Sequence, residues 1–143
     1  MEQLGLMDML NLMPEDVIHH CIKPFLRPEV LVWLNKENYD RYHDRVKDLI
    51  PSANYESYIR DMVRHDCAMV LGKLIDENFD KWKKMKKYYF KYMIFKNYLC
   101  FLMFLCVENG AVKCQRTLHE KASAVLGEKW HKNVRIRNCR WSN

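Results

Sequence analysis

Only four glycines and four prolines interrupt 143 residues, and three of the prolines (Pro14, Pro24 and Pro28) crowd into one short stretch. A chain so poor in helix-breaking residues, and so rich in Leu, Lys, Met and Glu, is expected to be all-α. Hydrophobic residues make up 49% and aromatics 13% of it, which is enough apolar surface for a packed core. Domains of roughly 100–200 residues are the common case, so residues 1–143 are expected to form a single helical domain. The expected architecture is a compact bundle of about six helices, closed by an irregular basic tail over residues 128–143.

Local signals place the helices. Pro14 suits a first helical position, and Glu15 and Asp16 beside it favour the positive end of a helix dipole. Val17, Ile18, Cys21, Ile22 and Phe25 then form one apolar stripe. Pro28 and Glu29 repeat the device ahead of Val30, Leu31 and Leu34, and Asn35 is placed to cap a third helix that carries Tyr39, Tyr42, Val46 and Leu49. A longer helix is expected from about Asn54 toward Phe79, since Tyr55, Ile59, Met62, Val63, Val70, Leu74 and Ile75 keep a helical period. A last helix runs from Ala111 to Leu126 and ends at Gly127.

Between these lies the run KWKKMKKYYFKYMIFKNYLCFLMFLCVENG, residues 81–110. It is read as one central helix, basic in its first half and apolar in its second, which stops at Gly110. At 100° per residue Trp82, Met85, Tyr89, Tyr92, Met93 and Leu99 share a face, so the aromatics are assigned to the core. A membrane span is excluded by length: the uncharged run from Asn97 to Val107 falls well short of the ~20 apolar residues that a bilayer demands.

The formal charge of +6 conceals an asymmetry. Residues 1–80 hold nine Lys and Arg against fifteen Asp and Glu, a net −6, whereas residues 81–143 hold fifteen against three, a net +12. Such a split suits a surface that steers a polyanion. Lys81, Lys83, Lys84, Lys86, Lys87 and Lys91, with Arg135, Arg137 and Arg140 of the tail, are the candidate polyanion-binding residues, and Lys96, Trp130 and Trp141 extend the pattern.

The function classes that need specialised machinery find little here. No Gly-rich phosphate loop, G-x-S-x-G or H-E-x-x-H occurs, and His19 and His20 diverge by about 100° on a helix, so no catalytic residue is assigned and an enzyme is not expected. Cys106, Cys114, His119, His131 and Cys139 lack the close pairing of structural zinc modules, so no metal or other cofactor is expected. The acidic N-terminal stretch is unlike a secretory signal, and the six cysteines are read as reduced, mostly core residues of a protein that is not secreted.

Two resemblances add expectations. Met13-Pro14-Glu15, Ile18, Ile22, Phe25-Leu26, Pro28-Glu29-Val30-Leu31 and Leu34-Asn35-Lys36 with Tyr39 resemble a divergent F-box over residues 13–39, with the acid at 15 one position early. That resemblance implies binding to the adaptor protein of a ubiquitin ligase through Pro14, Ile18, Ile22, Leu26, Pro28, Leu31 and Leu34. The stretches VLVWLNKENYDRYH, YESYIRDMVRHD and FDKWKKMKKYYFKYMIFKNYLCFL, with the closing RNCRW, are similar to a family of short uncharacterised proteins of large nucleocytoplasmic DNA viruses. This implies a viral interaction protein in the host cytoplasm, the nucleus or the virion. The leading expectation is a non-enzymatic binder with a protein partner at the N-terminal helices; the alternative is a virion or nucleoid component whose basic half holds nucleic acid.

Overall fold

The computed structural model describes residues 8–9, 12–131 and 137–138. The fold is predominantly helical, as the scarcity of breakers predicts, with one small antiparallel sheet. Its internal contacts divide into two compact units, Met1–Tyr55 and Glu56–Asn143.

In the first unit, α1 (Glu15–Val17) passes into a π-helical turn at Ile18–Ile22 and a 3-10 turn at Lys23–Phe25. Pro24 explains the irregularity: it offers no N–H, and its ring crowds the carbonyl four residues back, so a regular α-helix cannot run through it. The chain continues through α2 (Pro28–Leu31), α3 (Lys36–Tyr42) and α4 (Val46–Leu49). Asn35 caps α3 as expected, its side-chain oxygen accepting the Asn38 N–H at 2.9 Å. Leu31, Val32, Tyr39 and Val46 are buried and form the core of this unit, with the Trp33 and Tyr39 rings 6.2 Å apart.

The second unit corrects two sequence expectations. Instead of one helix from Asn54 to Phe79, α5 (Ser52–Arg64) and α6 (Ala68–Lys84) are separated by a turn in which Asp66 adopts φ +53°. The second correction is larger. The central helix expected over 81–110 is three elements: the last turn of α6, a hairpin of β1 (Tyr88–Phe90) and β2 (Met93–Phe95), and α7 (Tyr98–Glu108). Residues 137–138 of the tail, expected to be irregular, form β3 and pair antiparallel with β2.

Tyr, Phe and Ile fit a pleated, half-buried surface better than a helix, and the segment reads with a period of two. Tyr88, Phe90, Met93 and Phe95 turn inward, whereas Tyr89 faces outward opposite Ile94. Asn97 then starts α7 by accepting the Cys100 N–H at 2.9 Å.

Phe101, fully buried on α7, holds the hairpin. Its ring lies within 5.5 Å, centroid to centroid, of Tyr88, Phe90, Phe95 and Tyr98. Trp82 at the end of α6 joins the cluster through Tyr98 at 4.9 Å. Behind this cluster, α8 (Val112–Leu126) packs against both α6 and α7. Gly72 permits the approach of α6 to α8, for a Cβ there would meet Lys121 at 3.3 Å, and the Lys121 ammonium donates to Asp76 at 2.7 and 2.8 Å just above.

No side chain of its own caps α8, whose N-cap position is Ala111. Asp66 supplies the cap from the α5–α6 turn, accepting the N–H groups of Cys114 at 2.8 Å and Lys113 at 3.3 Å. The Cys114 N–H is the main cause that holds the Asp66 carboxyl below its ordinary 3.8.

Two stability predictions follow from these contacts. Phe101→Ala lowers unfolding stability by about 3–5 kcal/mol in urea titration, the range for emptying a buried phenyl site, and a loss under ~1 kcal/mol would contradict the role assigned to it. Because the folded pKa of Asp66 is depressed, its contribution is complete above the unfolded value and is lost as pH falls through the lower folded one. Asp66→Asn therefore destabilises the protein at pH 7, and the gap between variant and wild type narrows as unfolding is measured at progressively more acid pH.

Candidate nucleic-acid interface

The segment from Lys81 to Lys96 carries seven lysines and no acid. All seven (Lys81, Lys83, Lys84, Lys86, Lys87, Lys91 and Lys96) are solvent-exposed. The first three sit in the last turn of α6, where cations also complement the helix dipole. Lys86 and Lys87 lead into β1, Lys91 occupies the hairpin turn, and Lys96 leaves β2.

The hairpin interleaves these charges with rings. Tyr89 is 64% exposed and Tyr92 62%, although helical phasing predicts both in the core. The reason is the change of period: in a strand, Tyr89 falls on the face opposite Tyr88 and Phe90. Tyr92 lies in the two-residue turn that joins Phe90 to Met93. Their exposed faces stand beside ammonium groups on a sheet fixed from below by Phe101, so the hairpin offers positive charge and π-surface together.

Lys91 adopts φ +51°, a left-handed conformation usually left to glycine or asparagine. Its ammonium lies 5.5 Å from the Phe90 ring centroid, and the Arg60 guanidinium reaches the same ring at 5.9 Å. Tyr88, turned inward, has its hydroxyl pKa raised by burial and then by the Glu56 carboxylate, to which it donates at 3.4 Å. It is therefore a neutral anchor of the hairpin.

Next to the turn opens a cavity of about 400 Å³, bounded by the hairpin, the end of α5 and the last turns of α7. Sequence reasoning missed it, because it forms only when the hairpin folds back beside Arg64 and Glu108.

The other expected sites distribute as follows. Leu31 is buried and Ile18, Ile22, Leu26 and Leu34 are half-buried within the first unit, so these apolar residues serve its own packing. Pro14 is exposed, and the exposed apolar side chains nearby are Leu12, Met13, Val17 and Phe25, the last at 85%. Pro28 opens α2. Arg137 pairs through its backbone with Ile94, while Arg135, Arg140 and Trp141 lie outside the described residues. Trp130, read as a stacking group, is half-buried with its ring 5.7 Å from His131.

Among the described residues no three His, Cys, Asp or Glu side chains gather as a metal-ligand set, though the His119 and His131 rings meet edge-on at 5.0 Å. Cys139 is outside the described residues. Cys100, Cys106 and Cys114 are buried free thiols, and burial, with the Asp66 charge behind it, pushes Cys106 up to about 12. Burial likewise raises Cys114, ahead of its hydrogen bond to Asp66, so neither thiol is a ready nucleophile. No helix among the described residues is long and apolar enough to cross a membrane. No protein-family model matches the chain, and neither the curated proteins nor the solved structures contain a match to it.

The strained turn yields a stability prediction. Lys91→Gly places the residue that prefers φ +51° at that position and raises unfolding stability by up to ~1 kcal/mol. A destabilised Lys91→Gly protein in thermal unfolding would show that the lost Lys91–Phe90 contact outweighs the relief of the left-handed turn.

Proposed function

We propose that the second unit binds single-stranded nucleic acid across the β1–β2 hairpin, as a non-enzymatic binding protein. The observation that carries this reading is the juxtaposition of Tyr89 and Tyr92, both largely exposed, with seven exposed lysines on a segment that has no carboxylate to neutralise them. Lysines alone would fit any polyanion. Exposed aromatic rings among them favour a strand with unpaired bases, because a duplex hides its bases in the stack. Affinity is expected to be set by phosphate contact and to be tolerant of sequence. The resemblance read in the sequence to proteins of large DNA viruses is an expectation, and it would set such binding in the virion or the infected cell.

A second reading is supported by the first unit. Leu12, Met13, Val17 and Phe25 expose apolar surface next to the F-box-like pattern, and a protein partner, such as the adaptor of a ubiquitin ligase, would cover it. In that reading the contact runs through Val17 and Phe25, with Pro14, rather than through Leu31.

The first reading is tested by fluorescence anisotropy with a labelled oligo-dT and the duplex of the same length. The strand binds more tightly than the duplex, and log affinity falls against log salt with a slope of roughly −3 to −5, as expected if most of the seven lysines meet phosphates. Tyr89→Ala and Tyr92→Ala each weaken strand binding by about 1–3 kcal/mol while leaving the salt slope in place. A flat salt response, or tyrosine variants that bind like wild type, would remove the reading.

A further inference from the structure

Beside the hairpin turn the surface falls into a half-open pocket. Its walls include three rings, Phe90, Tyr92 and Phe104; its charged groups are Arg64, Lys91 and the Glu108 carboxylate. A volume of about 400 Å³ lies at the lower end of small-ligand sites, which run roughly from 300 to 1,000 Å³. The combination of aromatic walls, two cations and one carboxylate is specific in its demands. A ligand that suits this lining is flat, carries negative charge at one end, and offers hydrogen-bond donors to a carboxylate.

We propose that this cavity binds a guanine nucleotide unit, with the base against the exposed Tyr92 ring, its Watson–Crick edge on Glu108 and its phosphate toward Lys91 and Arg64. The proposal rests on the nucleic-acid reading of the adjacent hairpin and adds one base-selective pocket beside that sequence-tolerant surface. The argument for guanine is one of donor count. An ionised carboxylate only accepts hydrogen bonds, through two oxygens. Guanine presents two adjacent donors on its Watson–Crick edge, N1–H and the N2 amino group, and so fills both oxygens. Adenine, cytosine and uracil each set a ring acceptor or a carbonyl beside their donor, and one carboxylate oxygen would then face a lone pair.

The local geometry fits this assignment. Among the described residues no hydrogen bond or ion pair engages the Glu108 carboxylate, which stands exposed at the last residue of α7. Its neighbour Asn109 donates from Nδ2 to the Leu105 carbonyl at 2.8 Å, so that amide group is turned back onto the helix end. Arg64 is held at the rim by Asp61, 2.8 Å away in an exposed pair that leaves other guanidinium N–H groups for a phosphate. Phe104 is braced by Phe95 at 5.2 Å, and the Lys91 ammonium lies 5.5 Å from the centroid of Phe90 in the pocket wall.

The same chemistry is available from a free guanine nucleotide or from a guanosine within a strand, and one experiment separates them. The four nucleoside monophosphates are titrated calorimetrically into the full chain, and oligo-dT is compared with oligo-dT carrying a single central dG. GMP is expected to bind at least about tenfold tighter than AMP, CMP or UMP, the discrimination of a good bidentate contact. Glu108→Gln, which exchanges one acceptor for a donor at an exposed position, abolishes that preference, and Lys91→Ala weakens all four nucleotides alike. A gain in affinity from the single dG identifies the strand as the source; GMP preference without that gain identifies the free nucleotide. Equal binding of the four nucleotides, no binding of any, or a Glu108→Gln protein that still prefers GMP overturns the proposal. If oligo-dT binding survives those results, the hairpin reading stands without the pocket; if oligo-dT binding is absent too, both fall.

Discussion

Everything at the candidate site depends on the aromatic cluster around Phe101. A two-stranded hairpin is marginally stable by itself in water. Here its inward rings, Tyr88, Phe90 and Phe95, are packed on a side chain that α7 holds at zero exposure. That packing fixes the opposite face. Once Tyr88 and Phe90 are committed inward, the pleat sends Tyr89 outward, and the turn projects Lys91 and Tyr92. The exposed half of the hairpin is thus a consequence of the buried half, and the lysines are spread on a support with little freedom to collapse.

A second constraint works at longer range in the sequence. Asp66 ends one helix, begins another through a left-handed turn and caps a third, α8, some fifty residues downstream. The left-handed turn at Asp66 follows the end of α5, whose last residue, Arg64, stands at the cavity rim. Around these two anchors the unit concentrates positive charge on one segment and burial on another. Lys81 to Lys96 carries the charge, and Tyr98 to Cys106, whose residues are mostly buried on every side, carries the core. The Lys91 turn shows the other side of this arrangement: a left-handed lysine is a conformation that a packing argument alone would give to glycine, and it directs a cation at the site.

The sequence carried the helical class, the Asn35 cap, the ends at Gly110 and Gly127, and the final helix to within a residue. Those features are local, written in capping chemistry and breakers. It did not carry the hairpin. A sequence reader finds turns by Gly, Pro, Asn or Asp, and Lys91-Tyr92 contains none, while the lysine spacing before it suits a helix equally well. The same error reversed the assignment of Tyr89 and Tyr92, since helical phase buries residues that a two-residue period exposes. The break at Asp66 was hidden because the residues on both sides keep one apolar phase and the deciding partner, the start of α8, is remote. For the site this means that the lysines were legible from charge alone, whereas the rings and the cavity required the correct period.

The account's central claim is that the hairpin is the surface on which a nucleic-acid strand lies. The most direct measurement is a backbone amide chemical-shift map of the ¹⁵N-labelled full chain titrated with oligo-dT. The account predicts that the largest changes fall from Lys86 to Lys96, centred on Tyr89 and Tyr92. Changes centred on the first unit, or none across the hairpin at saturating oligonucleotide, would contradict it.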